Sequence, residues 1–457
     1  MATSNEDMQN TKLTFRKYEE GDQDWGGFEN KIFKEDTSHK CPTYVHRTPP
    51  CQGSCPSGED IRGWLDIVRG IERPPEGVSM QEYAFRRSTD ANPFPSMMGR
   101  VCPAPCQDGC NRNNVEDFVG INSVEQYIGD TAFKEGFKFD NSAAMTGKKV
   151  AIIGGGPAGM AAAYQLRRKG IASTIFDDHA ELGGMMRYGI PGYRTPRDFL
   201  DNECQRILDM GNIETRMNTR VGRDVSLEDV EKEFDAVLWA LGCWTGRGVP
   251  VEGWDDTPNC VSAVKFLEQF NKGEMKYTAK KVLCIGGGDT SIDVVSVSRR
   301  IGTLADYNET PEAVINGETS HADHDSSKNV PCDLVTLTAL FKKEEMTAAQ
   351  HEVEDATIEG VDIRNEIMPV ELIRDADGRA TGMKFADCKW ENNAPVRVEG
   401  GKEYTIEADL IVAAIGQGGN LEGVEDFNNG RNLMDADNLY RVPGKANHYV
   451  CGDIVRP

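Results

Sequence analysis

The chain has 457 residues and a formal net charge of −23 at pH 7, from 74 acidic against 51 basic side chains. That length allows about two to four domains with a large buried core, and the charge argues against nucleic-acid phosphates and anionic lipid surfaces as partners. No stretch approaches the roughly 18 uninterrupted apolar residues of a membrane helix; the polar start MATSNEDMQNTKLTFRKYEEGDQDWGG lacks the basic and apolar parts of a signal peptide, so a cytoplasmic protein is expected.

Residues 41–56, CPTYVHRTPPCQGSCP, bring Cys41, His46, Cys51 and Cys55 close together, and VCPAPCQDGC at 101–110 adds Cys102, Cys106 and Cys110. The other seven of the thirteen cysteines are scattered singly and read as core thiols. An odd number in a long cytoplasmic chain argues against a disulfide framework and leaves metal. Zinc ribbons pair two C-x2-C knuckles, and the chain has no C-x-x-C. Iron–sulfur clusters accept wider spacings and neighbouring prolines, so iron–sulfur is the favoured reading, with zinc or no metal as the alternatives. Between the cysteine groups, SGEDIRGWLDIVRG predicts a helix capped by Ser57 with Asp60 and bearing Ile61, Leu65 and Val68 on one face. ANPFPSMMGRVCPAPC, with Pro93, Pro95, Pro103 and Pro105, reads as loop, and VGINSVEQYIGDTAF as helix. The first domain, residues 1–146, is therefore expected to be small, mostly helical and cysteine-stapled.

From residue 148 the pattern changes. KKVAIIGGGPAGMAAAYQLRRKG is a buried strand, a glycine turn and an Ala-rich helix, with ASTIFDDH as the next strand. In Gly154-x-Gly156-x-x-Gly159 the first glycine permits the turn, the second admits a pyrophosphate, and the third lets helix pack on strand; the pyrophosphate then meets the helix N-terminus. Asp177, eighteen residues after Gly159, suits adenosine ribose hydroxyls. KKVLCIGGGDTSIDVVSVSRRIG repeats the design about 130 residues on. There Ser291 takes the third-glycine position after Gly286 and Gly288, loosening helix–strand packing. The next strand, LVTLTALFKK, ends in Lys342 and Lys343 with no acidic residue, which suits a 2′-phosphate and hence NADPH. Residues 303–330 read as a polar surface insertion; ADLIVAAIGQ and HYVCGDIV are further buried strands. Two dinucleotide folds, the second inserted in the first, with a terminal Gly-Asp at Asp453 for a flavin ribityl chain, point to a flavin enzyme reduced by a pyridine nucleotide. Without C-x-x-C, a disulfide reductase is disfavoured.

The order of a cysteine-rich helical domain, GGGPAG, GGMMRYGIPGYR, GGGDTSID and a final GD resembles the glutamate synthase small subunit and the N-terminal part of dihydropyrimidine dehydrogenase, over nearly the whole chain from about residue 38. CPTYVHRTPPCQGSCPSGEDIRGW and GRVCPAPCQDGCNRN look closest to DsrL-type NAD(P)H:acceptor oxidoreductases linked to dissimilatory sulfite reductase; they also resemble NAD(P)-binding subunits of 2-oxoacid and aromatic-acid oxidoreductases.

The resemblance implies an α/β chain: a helical iron–sulfur domain (1–146), an FAD domain (147–271 and 403–457) and an NAD(P) domain inserted in it (272–402). It implies FAD, NADP or NAD, and two [4Fe-4S] clusters. One cluster would take Cys55, Cys102, Cys106 and the carboxylate of Glu125. The other would take Cys51 and Cys110 plus two cysteines that the family places five and eight residues before Cys51. Here those positions are His46 and Thr43, so Cys41 is expected to ligate after a loop shift and His46 to be the fourth ligand, raising the cluster potential. The candidate cofactor contacts are Gly154, Gly156, Pro157, Ala158, Gly159, Asp177, Gly183, Gly184, Arg187, Arg194, Val221, Gly242, Gly286, Gly288, Asp289, Thr290, Lys342, Lys343, Gly416, Gly452 and Asp453. Arg194 matches a flavin-contacting arginine, and KKEEMTAAQHEVEDA a segment that closes over the nucleotide adenosine, although the family's arginine near Ala349 is missing, which leaves NADH open. The family's helix after the final Gly-Asp implies that the chain continues past Pro457. The implied activity is electron transfer from NAD(P)H through flavin and clusters to a partner subunit or ferredoxin, with no acid–base residue required and an oligomer left open. A glutamate synthase subunit, a 2-oxoacid oxidoreductase subunit and a non-catalytic assembly subunit are the rival readings.

Overall fold

The structure is a computed structural model that describes residues 48–116, 118–275, 279–304, 329–330, 332–391 and 394–455. Cys41 and His46, and residues 305–328 of the expected insertion, lie outside the described residues. The chain divides into two compact units, Met1–Phe137 and Lys138–Pro457. The break precedes the expected boundary at 146 because the buried Arg167 guanidinium donates to the carbonyls of Asn141 and Ala143, tying that stretch into the second unit.

In the first unit, helices α1 (Pro50–Ser54), α2 (Ile61–Val68), α3 (Met80–Ser88), α4 (Pro95–Val101), α5 (Pro105–Asp108) and α6 (Ile121–Glu135) surround a small core. The second helix starts at Asp60 rather than Ser57: its carboxylate accepts from Gly63 N–H at 3.1 Å and pairs with Arg87 at 2.8 Å. Its buried face is Ile61, Trp64 and Ile67, not Ile61, Leu65 and Val68. The segment 95–101, read as loop from its prolines, is helical because Pro95 occupies the first turn, where its missing N–H costs nothing. α4 crosses α6 at close range, since Gly99 lies on the backbone of Gln126 and Gly129 on that of Ser96. Arg100 clamps the crossing by a two-pronged pair with Asp130 at 2.7 and 2.9 Å.

The second unit holds two parallel sheets. In the first, strands β1 (Lys149–Ile153), β2 (Ala172–Phe176), β3 (Ile213–Arg216), β4 (Ala236–Trp239) and, from far along the chain, β18 (His448–Val450) stand in the order β18-β4-β1-β2-β3. α7 (Pro157–Arg168), α8 (Met185–Tyr188), α9 (Arg197–Leu208) and α10 (Leu227–Glu233) belong to this half. Two short strands, β5 (Thr245–Gly246) and β17 (Gln417–Gly418), pair where the chain leaves and re-enters it. Between them lies the second sheet, β6 (Cys260–Ser262), β7 (Lys281–Ile285), β10 (Leu334–Thr338), β11 (Asp362–Arg364) and β16 (Leu410–Ala413), in the order β11-β10-β7-β16-β6. Helices α11 (Ala263–Asn271), α12 (Asp289–Ile301) and α13 (Gln350–Ile358) belong to it. Because β6 and β16 bond into this sheet, the inserted domain is wider than 272–402. β8 (Thr303–Leu304) pairs with β9 (Asn329–Val330), joining the two ends of the polar insertion. β12 (Ile367–Arg374), β13 (Ala380–Glu391), β14 (Ala394–Arg397) and β15 (Glu403–Glu407) form an antiparallel sheet beside it. Each parallel sheet has its own apolar core, around Trp239 and Phe427 in the first and Phe266, Phe270 and Val335 in the second. The α/β architecture read from the sequence, a helical domain followed by two nested dinucleotide folds, is thus borne out.

Candidate dinucleotide and iron–sulfur sites

The first glycine loop joins β1 to α7. A Cβ on Gly159 would press into the Gly154 carbonyl oxygen, so only glycine lets the helix start this close to the strand. Gly155 N–H donates to Asp177 at 2.6 Å, which sets that carboxylate at the end of β2. Gly184 abuts Gly156, and Gly183 N–H donates to Gly155 at 2.9 Å, so the 183–194 segment is seated on the loop. Gly452 packs on Ala158, bringing Asp453 beside the first turn of α7; burial pushes the Asp453 carboxyl above its usual range. A cavity of about 260 Å³ opens here, lined by Gly154, Asp177, Val221, Trp239 and Trp244 among others. This cradle of bare backbone, carboxylate and aromatic walls fits the adenosine half of a dinucleotide.

His179 was not singled out from the sequence. Burial alone would lower its pKa, but Asp177, Asp178 and Glu268 outweigh that and raise it to about 11, so the ring is cationic. It lies between Tyr188 and Trp244, with ring centroids at 4.6 and 4.4 Å. Its charge offsets the carboxylates around the cavity. Arg187 is buried, donating to Leu182 O and pairing with Asp201. Gly242 follows β4 toward Trp244, and Gly416 accepts from Arg247 N–H at 3.0 Å.

The second loop joins β7 to α12. Ser291 is fully buried and donates its hydroxyl to Gly288 O at 2.6 Å, so the serine is absorbed by a local bond. Asp289 accepts from Ala349 N–H at 2.8 Å, Ala348 N–H donates to Gly287 O at 3.0 Å, and Thr347 Oγ1 donates to the same carbonyl at 3.3 Å. Segment 347–349 is therefore pinned across the loop. Thr290 and Gly416 share a small cavity nearby. Lys342 is exposed and Lys343 half-buried, and Glu344 and Glu345 follow at once, which tempers the cationic character expected there. The Arg194 guanidinium binds Asp293 at 2.7 Å and Glu352.

The first unit gathers its thiols in two groups. Burial and the neighbouring Cys102 and Cys55 push the Cys106 thiol up to about 12, with Glu125 adding to the effect. Cys102 is raised by burial, with Glu125, Cys55 and Glu59 contributing. Cys51 is raised by burial and feels Cys110. Cys55, Cys102, Cys106 and Glu125 thus neighbour one another, as do Cys51 and Cys110. Burial and crowding make the thiolate costly for these cysteines on their own, and a metal centre, which binds the deprotonated form, would supply the compensating positive charge. The twelve described cysteines are all free thiols. Glu125 is 5% exposed and accepts from Asn92 at 2.7 Å. Glu59, 6% exposed, has its pKa raised by burial and faces Glu125 and Asn92. Asn122 holds the thiol loop by donating to Cys102 O at 2.8 Å. The sequence carried no signal for Glu59 or Asn92, whose approach to Glu125 spans turns and helices.

A family model described as pyridine nucleotide-disulphide oxidoreductase matches residues 148–457, and one described as dihydropyrimidine dehydrogenase domain II, 4Fe-4S cluster, matches 29–137. The chain is 32% identical over 426 residues to NADPH-Fe(3+) oxidoreductase subunit beta of Geobacter sulfurreducens, covering 87% of this chain and 56% of that one. It is 31% identical over 438 residues to the glutamate synthase [NADPH] small chain of Escherichia coli, covering 89% of this chain and 84% of that one. It is also similar to NADP(+)-dependent formate dehydrogenase subunit beta of Moorella thermoacetica, at 30% identity over 82% of this chain and 52% of that one. The chain thus spans little more than half the length of the Geobacter and Moorella relatives. Among solved structures, FprA from Mycobacterium tuberculosis matches with a TM-score of 0.55 at 16% identity, over 68% of this chain and 79% of that one, a likeness of fold. Among the described residues no helix is long and apolar enough to cross a membrane.

Proposed function

Given that the chain belongs to the pyridine nucleotide-disulphide oxidoreductase family and carries a 4Fe-4S domain ahead of it, we propose that it moves electrons between NAD(P)H and a protein partner. The observation that carries this reading is the pair of strand–glycine loop–helix units on two nested parallel sheets. FAD would lie on Gly154–Gly159 with Asp177 at its ribose and Asp453 near its ribityl chain, and the nicotinamide nucleotide on Gly286–Thr290. A bound flavin takes two electrons as hydride and can release them singly to iron–sulfur centres. The protein's part is to hold the nucleotides, to keep His179 charged among Asp177, Asp178 and Glu268, and to hold the cluster ligands. Two [4Fe-4S] clusters are proposed, one on Cys55, Cys102, Cys106 and Glu125, the other on Cys51, Cys110, Cys41 and His46. Relatives named as beta subunits and small chains support a protein partner.

The finer reading is a DsrL-like partner of dissimilatory sulfite reductase, motivated by the sequence around the cysteines. A glutamate synthase small subunit is the second reading, favoured by the match covering 84% of the Escherichia coli small chain. The test is anaerobic titration of the purified protein with NADPH and then NADH, read by visible absorbance, low-temperature EPR and iron analysis. Bleaching of bound flavin with iron–sulfur signals supports the proposal; a flavin that neither nucleotide bleaches overturns it. Co-purification with either candidate partner separates the two finer readings.

A further inference from the structure

The segment that follows the flavin loop reaches across to the second sheet. Tyr193 packs against the second core, with the Arg300 guanidinium 3.7 Å from its ring centre. Next to it, the Arg194 guanidinium joins two carboxylates from different elements. Asp293 lies one turn into α12, the helix whose N-terminus carries the second glycine loop; Glu352 lies in the first turn of α13. α13 is itself tied to the glycine loop, because the residues before it, 347–349, are the ones bonded to Gly287 and Asp289. Asp293 is 6% exposed, and Glu352 keeps one buried oxygen without a hydrogen-bond partner. Removing a buried cation from two carboxylates leaves uncompensated charge, so this contact is decisive for how the elements sit.

We propose that Arg194 is a positioning residue that latches the flavin-side segment 189–196 to the nucleotide helix α12 and to the covering helix α13. Through this latch the seat of the nicotinamide nucleotide is set relative to the flavin loop. The inference rests on the reading of Gly286–Thr290 as the NAD(P) site, but the latch itself is a property of the protein alone. One guanidinium with two prongs can hold both carboxylates at once, whereas a lysine ammonium, a point charge, serves them less well.

The test uses the flavin-loaded protein with Arg194→Gln, Arg194→Lys and the milder Glu352→Gln. Without nucleotide, hydrogen exchange in residues 189–196 and 350–358 should speed up about tenfold in Arg194→Gln, while residues 149–168 stay unchanged. Flavin content and visible spectrum should match the parent. In rapid mixing, flavin bleaching by the better nucleotide should slow about tenfold, with a smaller change in nucleotide affinity. Arg194→Lys should recover part of both effects, and Arg194→Gln combined with Glu352→Gln should be no worse than Arg194→Gln alone. Unchanged exchange in Arg194→Gln overturns the latch. So does a shifted flavin spectrum with α13 unaffected, which makes Arg194 a flavin contact. If the parent protein is not bleached by either nucleotide, the functional reading fails, and the exchange measurement still decides the latch.

Discussion

The two glycine loops follow one plan and solve its tightest point differently. In the first, Gly159 lies against the Gly154 carbonyl and no side chain fits between. In the second, Ser291 fits, its hydroxyl turned back onto Gly288 O. The strand after the first loop ends in a carboxylate that accepts the Gly155 N–H; the strand after the second leads to Ala339, which faces Gly287, and then to two lysines. The comparison teaches that the fingerprint is a limit on helix–strand distance rather than a fixed set of letters. At the second loop a small polar residue that satisfies itself locally is tolerated in the third position.

The largest expected effect breaks the first loop. Gly159→Val forces α7 off β1 and should abolish flavin binding, with a loss of about 3 kcal/mol or more in unfolding free energy; flavin content after purification and denaturant melts check it. A valine tolerated there with full flavin would show the two loops to be equally loose.

The second prediction concerns Asp293. Its carboxyl is pushed up to about 7 by burial, with Arg194 pulling it down and Glu352 and Asp289 pushing it up. The unfolded chain ionises this group in the ordinary carboxylate range, so the stability it contributes is present at low pH and is lost as pH rises toward 7. Asp293→Asn should therefore gain on the parent by ~2 kcal/mol between about pH 5 and pH 8, measured by denaturant melts at each pH. A difference that stays flat with pH would remove Asp293 from the contrast.

Third, Lys342→Gln with Lys343→Gln should weaken NADPH binding about tenfold, or ~1.4 kcal/mol, and leave NADH binding nearly unchanged. Equal losses for both nucleotides would mean that the lysines do not read a 2′-phosphate.

The smallest effect sharpens the contrast at the third position. Ser291→Ala should cost ~1 kcal/mol in thermal or denaturant unfolding, because Gly288 O keeps the Ser291 N–H as a donor when the hydroxyl is gone.

Much of this was legible in the sequence, and the parts that were share one property. Strand, glycine turn and helix follow one another within about 25 residues, so their periodicity is written locally. Cysteine spacing likewise separated the first-quarter thiols from the scattered core thiols. Asp60 as the cap and the Ile61–Trp64–Ile67 face were misjudged by small local shifts, and helix 95–101 was hidden by prolines that suit its first turn. The short strand Cys260–Ser262 had too few residues to show a pattern, so its place in the second sheet could not be read in advance.

The sequence by itself determined the two nucleotide loops, their nesting and the family to which they belong, because those depend on neighbours in the chain. Only the tertiary structure decided that Glu59 and Asn92 meet Glu125, that His179 is held as a cation, and that Arg194 turns to Asp293 and Glu352. The partners of Arg194 are 99 and 158 residues away. Which buried charge faces which is set by packing between elements far apart in the chain, and the cost of leaving such a charge unpaired then holds the arrangement in place.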